Sequence, residues 1–166
     1  MNESGTTEVA RPIIVQSGEG QTFEAFGDVI QFKVVGDQTG GSIVVGLVTV
    51  PPGGGPPTHI HHNEDELFLI LEGRFSILAA GELVELGPGG VAYTPRGNAH
   101  AFRNIGDTTG RFWAVATPSG FEKFFEKVSK VFAVGGPPDM ARILQICSEH
   151  GTEMVPAPGA GAPGAR

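Results

Sequence analysis

Basic side chains, cysteine and long apolar runs are all scarce in this chain, and each shortage removes a class of function. Eleven lysines and arginines face eighteen acids, a net charge of -7, and no basic stretch offsets it. Nucleic acid and an anionic membrane surface are therefore excluded as partners. One cysteine, Cys147, cannot form an internal disulfide. No segment is long and apolar enough to span a bilayer, and the opening residues lack the positive start and apolar run of a secretory signal. The expected location is cytoplasmic, and the expected partner is a small-molecule substrate.

Glycine and proline are plentiful instead, at 26 and 13 of 166 residues. They suit short strands joined by tight turns, so the fold class expected is all-β, an antiparallel sandwich or barrel. Strand-like runs fall at Ile13–Val15, Val29–Val35 and Ile43–Val50, at Arg74–Leu78 and Leu83–Leu86, and at Arg111–Thr117. The Gly36–Gly41 segment reads as a hairpin connection between two of them. The period then changes: Phe121, Phe124, Phe125, Val128, Val131 and Phe132 share one helical face, with Ser119 and Glu122 as a capping box at its start. A second helix is expected from about Pro138 to Gly151, with Cys147 on its apolar stripe and a cationic His150 in its last turn. The domain plan is a flexible tail over 1–11, a barrel over 12–118, helices over 119–151, and a disordered tail rich in Pro, Ala and Gly over 152–166.

The chemistry is concentrated in two stretches. The first runs Gly53 through His59-Ile-His61 to Glu66 and Gly73; the second runs Gly89 through Pro95 and Gly97 to His100 and Asn104. Side chains alternate along a strand, so His59 and His61 share a face and His62 looks the other way, a solvated turn residue. Asn63-Glu64-Asp65 is turn-prone, and Glu66 opens the apolar strand that follows. Glu64 and Asp65 compete with Glu66 by proximity, and the spacing to Gly73 favours Glu66. His100 shares a strand face with Phe102, and Glu66 with Phe68, so both phenylalanines are candidates for the pocket wall. Asn104 reads as a turn stabiliser.

These stretches fill both cupin signatures, G-x5-H-x-H-x4-E-x6-G and G-x5-P-x-G-x2-H-x3-N, at every fixed position. The chain thus resembles the cupin superfamily, and its His59-to-Phe68 wording and C-terminal extension resemble bacterial quercetin-dioxygenase-like cupins. The resemblance implies a single double-stranded β-helix, a jelly-roll barrel, carrying a C-terminal helical extension. It also implies one divalent transition metal per chain held by His59, His61, Glu66 and His100. Imidazole nitrogens suit Fe, Ni, Co, Mn, Cu or Zn, so the metal is not named by the sequence. The expected function is a metal-dependent dioxygenase cleaving an enolisable or phenolic, flavonol-like compound, with Glu66 as catalytic base. The alternatives are a metal-assisted isomerase, cyclase or epimerase that needs no oxygen, and a non-catalytic ligand-binding cupin. A homodimer is expected as well, with the phenylalanine-rich helix at or near the contact.

Overall fold

Alternation decides which side of each strand is buried, and two sheets result. The structure, a computed structural model, describes residues 11–156. In chain order the strands are β1 (Gln21–Ala25), β2 (Asp28–Val34), β3 (Val44–Val50), β4 (His59–His61), β5 (Asp65–Glu72), β6 (Phe75–Ala79), β7 (Glu82–Leu86), β8 (Val91–Thr94), β9 (Ala99–Asn104), β10 (Gly110–Thr117) and β11 (Thr152–Met154). A helical turn, α1 (Gly36–Thr39), and two helices, α2 (Phe121–Phe132) and α3 (Met140–Glu149), complete the fold. One sheet is ordered β1-β2-β3-β10-β5-β8 and the other β11-β4-β9-β6-β7, with every pairing antiparallel. This is the jelly-roll barrel with C-terminal helices that the sequence implies.

Every second residue of β2, β3, β5 and β10 points inward. Ile30, Phe32, Val48, Val50, Phe68, Ile70, Phe75, Ile77 and Phe112 fill the space between the sheets. Each fully buried side chain of this size is worth about 1.5–3 kcal/mol, so this layer is a large part of the folding force. Turn chemistry is exacting at Gly73, whose φ is 87° and where a Cβ would meet the Gly110 Cα at 2.7 Å. Asn104 is fully buried and ties the β9 end together, donating to the Val50 and Thr108 carbonyls and accepting from the Gly106 N–H.

Four local expectations are corrected. Ile13–Val15 forms no strand, and Ile14 is 82% exposed; three apolar residues without a partner strand do not make a ladder. Ser119 does not cap α2. Gly120 is the N-cap residue, and the Glu122 carboxylate instead accepts from the Gly120 N–H (2.9 Å) and from the Gly36 N–H (3.0 Å), pinning α2 to α1. His150 is at the end of α3, but burial and the Lys127 charge push its pKa down, so it is not the expected cation. The segment 152–166 is not all tail: β11 adds to the edge of β4, and the Val155 N–H donates to the Thr58 carbonyl. The ladder it offers an otherwise open edge explains its order. Residues 1–10 and 157–166, the remainder of the two expected tails, lie outside the described residues.

The apolar stripe of α2 turns onto its own barrel. Phe125 packs against Phe32 (ring centroids 5.8 Å), Phe132 against Phe26 (5.0 Å), and Phe124 and Val128 are buried with Ile143, Ile146 and Cys147 of α3. The stripe is buried within its own chain, so its apolar face does not itself require a second one. Its partner is intramolecular.

Candidate metal centre

The four residues predicted from spacing come together. One ligand atom each from His59, His61, Glu66 and His100 lies within 4.8 Å of the others, and all four residues are buried. His59 and His100 are direct cross-strand partners on β4 and β9, while Glu66 comes from β5 in the facing sheet. The two motifs are tied by the Gly97 N–H, which donates to the His61 carbonyl at 2.7 Å. That turn requires a φ of 81° at Gly97, a left-handed conformation glycine adopts without cost.

The backbone sets the tautomers. His59 Nδ1 is 2.9 Å from the Pro57 carbonyl and His100 Nδ1 is 3.0 Å from the Asn98 carbonyl. A carbonyl oxygen only accepts, so both rings carry a proton on Nδ1, and Nε2 is the nitrogen left to ligate, at His100 once the proton it shares with Glu66 is displaced. For His61, Nδ1 lies 3.4 Å from Thr152 Oγ1, and Nε2 is buried with no hydrogen-bond partner among the described residues. An orphaned buried nitrogen aimed at two imidazoles and a carboxylate fits a metal ligand.

Electrostatics keeps two of the rings neutral. Burial first, and then the His100 charge, push the His59 pKa down to about 4. Burial and the neighbouring histidines push His61 well below its usual value. His100 shifts upward: burial opposes its charge, but the hydrogen bond and charge of Glu66 outweigh that, with Nε2 3.1 Å from Oε2. The donor set of three imidazoles and one carboxylate suits a divalent transition metal.

The competing acids turn elsewhere. Asp65 forms a two-pronged pair with Arg96 (Nε–Oδ1 2.9 Å, Nη2–Oδ2 3.1 Å). Glu64 lies on the outer side of His61, 3.9 Å from Nδ1, and burial followed by the Glu66 charge raises its pKa to about 7. His62 faces outward and pairs with Glu153 at 2.9 Å.

A cavity of about 60 Å³ reaches the cluster, with His59, His61, Glu66, Phe68 and Phe102 on its wall. Helix α2 forms one side of it: Phe121 packs edge-on to the His61 ring at 5.0 Å, and Phe124 and Phe125 also line it. Asp28, Thr152 and Met154 are on the same wall and were missed in the sequence. Asp28 is in phase with the inward-facing Ile30 and Phe32, a signal that alternation carried. Thr152 and Met154 had no comparable signal.

A family model described as "Cupin domain" matches residues 46–116. A quercetin 2,3-dioxygenase of Bacillus subtilis (strain 168) is 28% identical over 116 residues, which cover 70% of this chain and 34% of that protein. The chain thus spans about a third of the length of this curated relative. Two solved structures share the fold alone. A predicted oxalate decarboxylase from Thermotoga maritima has a TM-score of 0.60 at 23% identity, over 63% of this chain and 98% of its own. KdgF from Halomonas sp. has a TM-score of 0.61 at 15% identity, over 68% and 99%.

Proposed function

We propose that this single-domain cupin is a metal-dependent dioxygenase that cleaves a small enolisable or phenolic compound with molecular oxygen. The observation that carries the reading is the inward set of ligand atoms on His59, His61, Glu66 and His100 beside a small, largely apolar cavity. The three histidines would hold one divalent metal, joined by Glu66 when its carboxylate is not taking up a proton. Bound there, the metal supplies Lewis-acid stabilisation of an enolate oxygen.

The chain's own residues do the rest. Glu66 takes the proton whose loss creates the enolate, and its Oε2 stands 3.1 Å from His100 Nε2, so base and ligand atoms share one site that holds little water. Phe68, Phe102 and Phe121 exclude water from the reacting carbon, which protects an enolate from simple reprotonation. Oxygen then adds to that carbon, the adjacent carbon–carbon bond breaks, and both oxygen atoms leave in the products.

Cavity size favours a small substrate over a flavonol. A cavity near 150 Å³ accepts benzene, so about 60 Å³ is too little for a three-ring molecule unless α2 withdraws. An isomerase, cyclase or epimerase would need the same enolate and no oxygen. Metal analysis followed by oxygen-uptake assays with diketones and flavonols tests the proposal; turnover without oxygen consumption would select the isomerase class.

We place the protein in the cytoplasm, the compartment in which a chain with a single cysteine is expected; among the described residues no helix is long and apolar enough to cross a membrane. A homodimer stays part of the proposal, with its contact moved to the outer face of the β1-to-β8 sheet. Leu71, Val91 and Tyr93 are 41%, 53% and 58% exposed there. Light scattering of the wild type and of Val91→Glu tests that contact.

A further inference from the structure

We infer that Asp28 is a second polar anchor of the cavity, hydrogen-bonding a hydroxyl or carbonyl oxygen of the substrate other than those at the metal. The inference rests on the metal-dependent reading above and adds a recognition element to it. Asp28 lines the same cavity as His59, His61 and Glu66 but lies outside their cluster. It is only 7% exposed, and its Oδ1 is buried with no hydrogen-bond partner among the described residues. Among the described residues, no lysine or arginine lines the cavity. Buried carboxyl groups are ordinarily paired, so an unpaired one facing a cavity is matched to something that enters it.

The surrounding backbone is built to hold this carboxyl in place. The two-residue turn between β1 and β2 has positive φ at both positions, 57° at Phe26 and 86° at Gly27. Glycine takes that geometry freely, whereas a phenylalanine there is uncommon and strained. Its ring is held by Phe132 of α2 at 5.0 Å, so the helix that forms one side of the cavity also fixes the turn that presents Asp28. On the other side, a Cβ on Gly54 would stand 2.9 Å from Asp28 Oδ1, so the glycine leaves the carboxyl its room.

The chemistry selects a neutral oxygen group. Burial raises the Asp28 pKa from 3.8 to about 7, so the group both donates and accepts near neutrality. Its titratable neighbours on the cavity are His59 and His61 of β4 and Glu66 of β5; β11 contributes Thr152 and Met154, and α2 contributes phenylalanines. An ammonium ligand would share a small apolar space with a metal cation and is disfavoured by repulsion. The class that fits is a small enolisable compound, such as an α-hydroxy ketone, carrying one further hydroxyl or carbonyl oxygen.

Two probes differing by one hydroxyl test this. Cobalt(II)-loaded protein is titrated with dihydroxyacetone and with hydroxyacetone, and the visible spectrum of the metal reports binding. The wild type should bind dihydroxyacetone roughly threefold to tenfold more tightly, the size of one net hydrogen bond. Asp28→Ala should bind both probes alike with unchanged cobalt content, and Asp28→Asn, which keeps a hydrogen-bonding amide, should restore part of the preference. No preference in the wild type, or an equal preference in Asp28→Ala, overturns the anchor.

A metal-free arm separates this outcome from failure of the metal reading. If the wild type takes up no cobalt, that reading fails, and Asp28 is judged by thermal unfolding of the metal-free proteins. A raised folded pKa means that Asp28 adds no penalty below about pH 4 and a growing one up to pH 7. Asp28→Asn should therefore unfold at a higher temperature than wild type, by a margin that widens from pH 4 to 7. A lower unfolding temperature across that range means a structural carboxyl and overturns the anchor.

Discussion

His100 Nε2 and Glu66 Oε2 stand 3.1 Å apart, one from each sheet, and this contact closes the ring of ligand atoms across the barrel. Removing either partner separates ligand from base. His59→Ala, His61→Ala and His100→Ala should each lose most bound metal while keeping the fold, because strand packing buries the core. Glu66→Gln should lower turnover far more than metal content. Elemental analysis beside circular dichroism checks both, and full metal occupancy in the histidine variants would refute the ligand set.

Thr152 makes its own prediction. Its hydroxyl is the polar group nearest His61 Nδ1, at a long 3.4 Å. Partners of this kind usually contribute 10- to 100-fold to metal affinity, and the length places Thr152→Val near tenfold. Competition with a chromophoric chelator measures it, and an unchanged affinity would mean that Thr152 only fills space.

Helix α2 is wall and core together. Phe121→Ala removes the ring that abuts His61 and should enlarge the cavity, raising oxygen uptake with quercetin relative to acetylacetone. It should also cost about 2 kcal/mol of stability, less than the usual 3–5 for a fully buried ring, since Phe121 is only partly buried. Unchanged selectivity would mean that the substrate enters elsewhere.

Phe124→Asp combined with Phe125→Asp places two carboxylates in the α2–barrel packing. The expected result is loss of the folded state in circular dichroism, not a folded monomer. A well-folded monomer would return the stripe to an intermolecular role.

The ligand set was legible because it follows from periodicity: alternation put His59 with His61 and separated His62, and turn residues set where Glu66 begins. The β2–β3 and β6–β7 hairpins were equally plain, since Gly-rich connections separate runs of clear period. The place of α2 on the cavity wall was not. An apolar helical stripe says that a face is buried without saying against what, and Phe32 and Phe26 decided the matter in three dimensions. β11 is three residues long, and its order comes from the free edge of β4 rather than from its own pattern. Asp28 could have been read from its phase on β2, but a polar residue beside a turn is also what a solvated turn presents.

A surface clamp supplies a pH test. Hydrogen bonds from Arg96 hold the Asp65 pKa down to about 2, so the pair's contribution is present above pH 4 and is lost as the pH falls toward 2. Arg96→Ala should therefore lower the unfolding temperature at pH 7 by more than at pH 3, with the gap shrinking steadily between. A gap independent of pH would assign the loss to the contact of Arg96 with the Thr117 carbonyl instead.

The proposed reaction joins both atoms of molecular oxygen to an enolisable carbon skeleton. Mass spectrometry of products formed under oxygen-18 gas by the metal-loaded wild type, with metal-free His100→Ala as control, tests it most directly. Two labelled oxygen atoms per cleaved molecule are expected in the wild type and none in the control. Turnover that leaves the products unlabelled would contradict the proposed reaction.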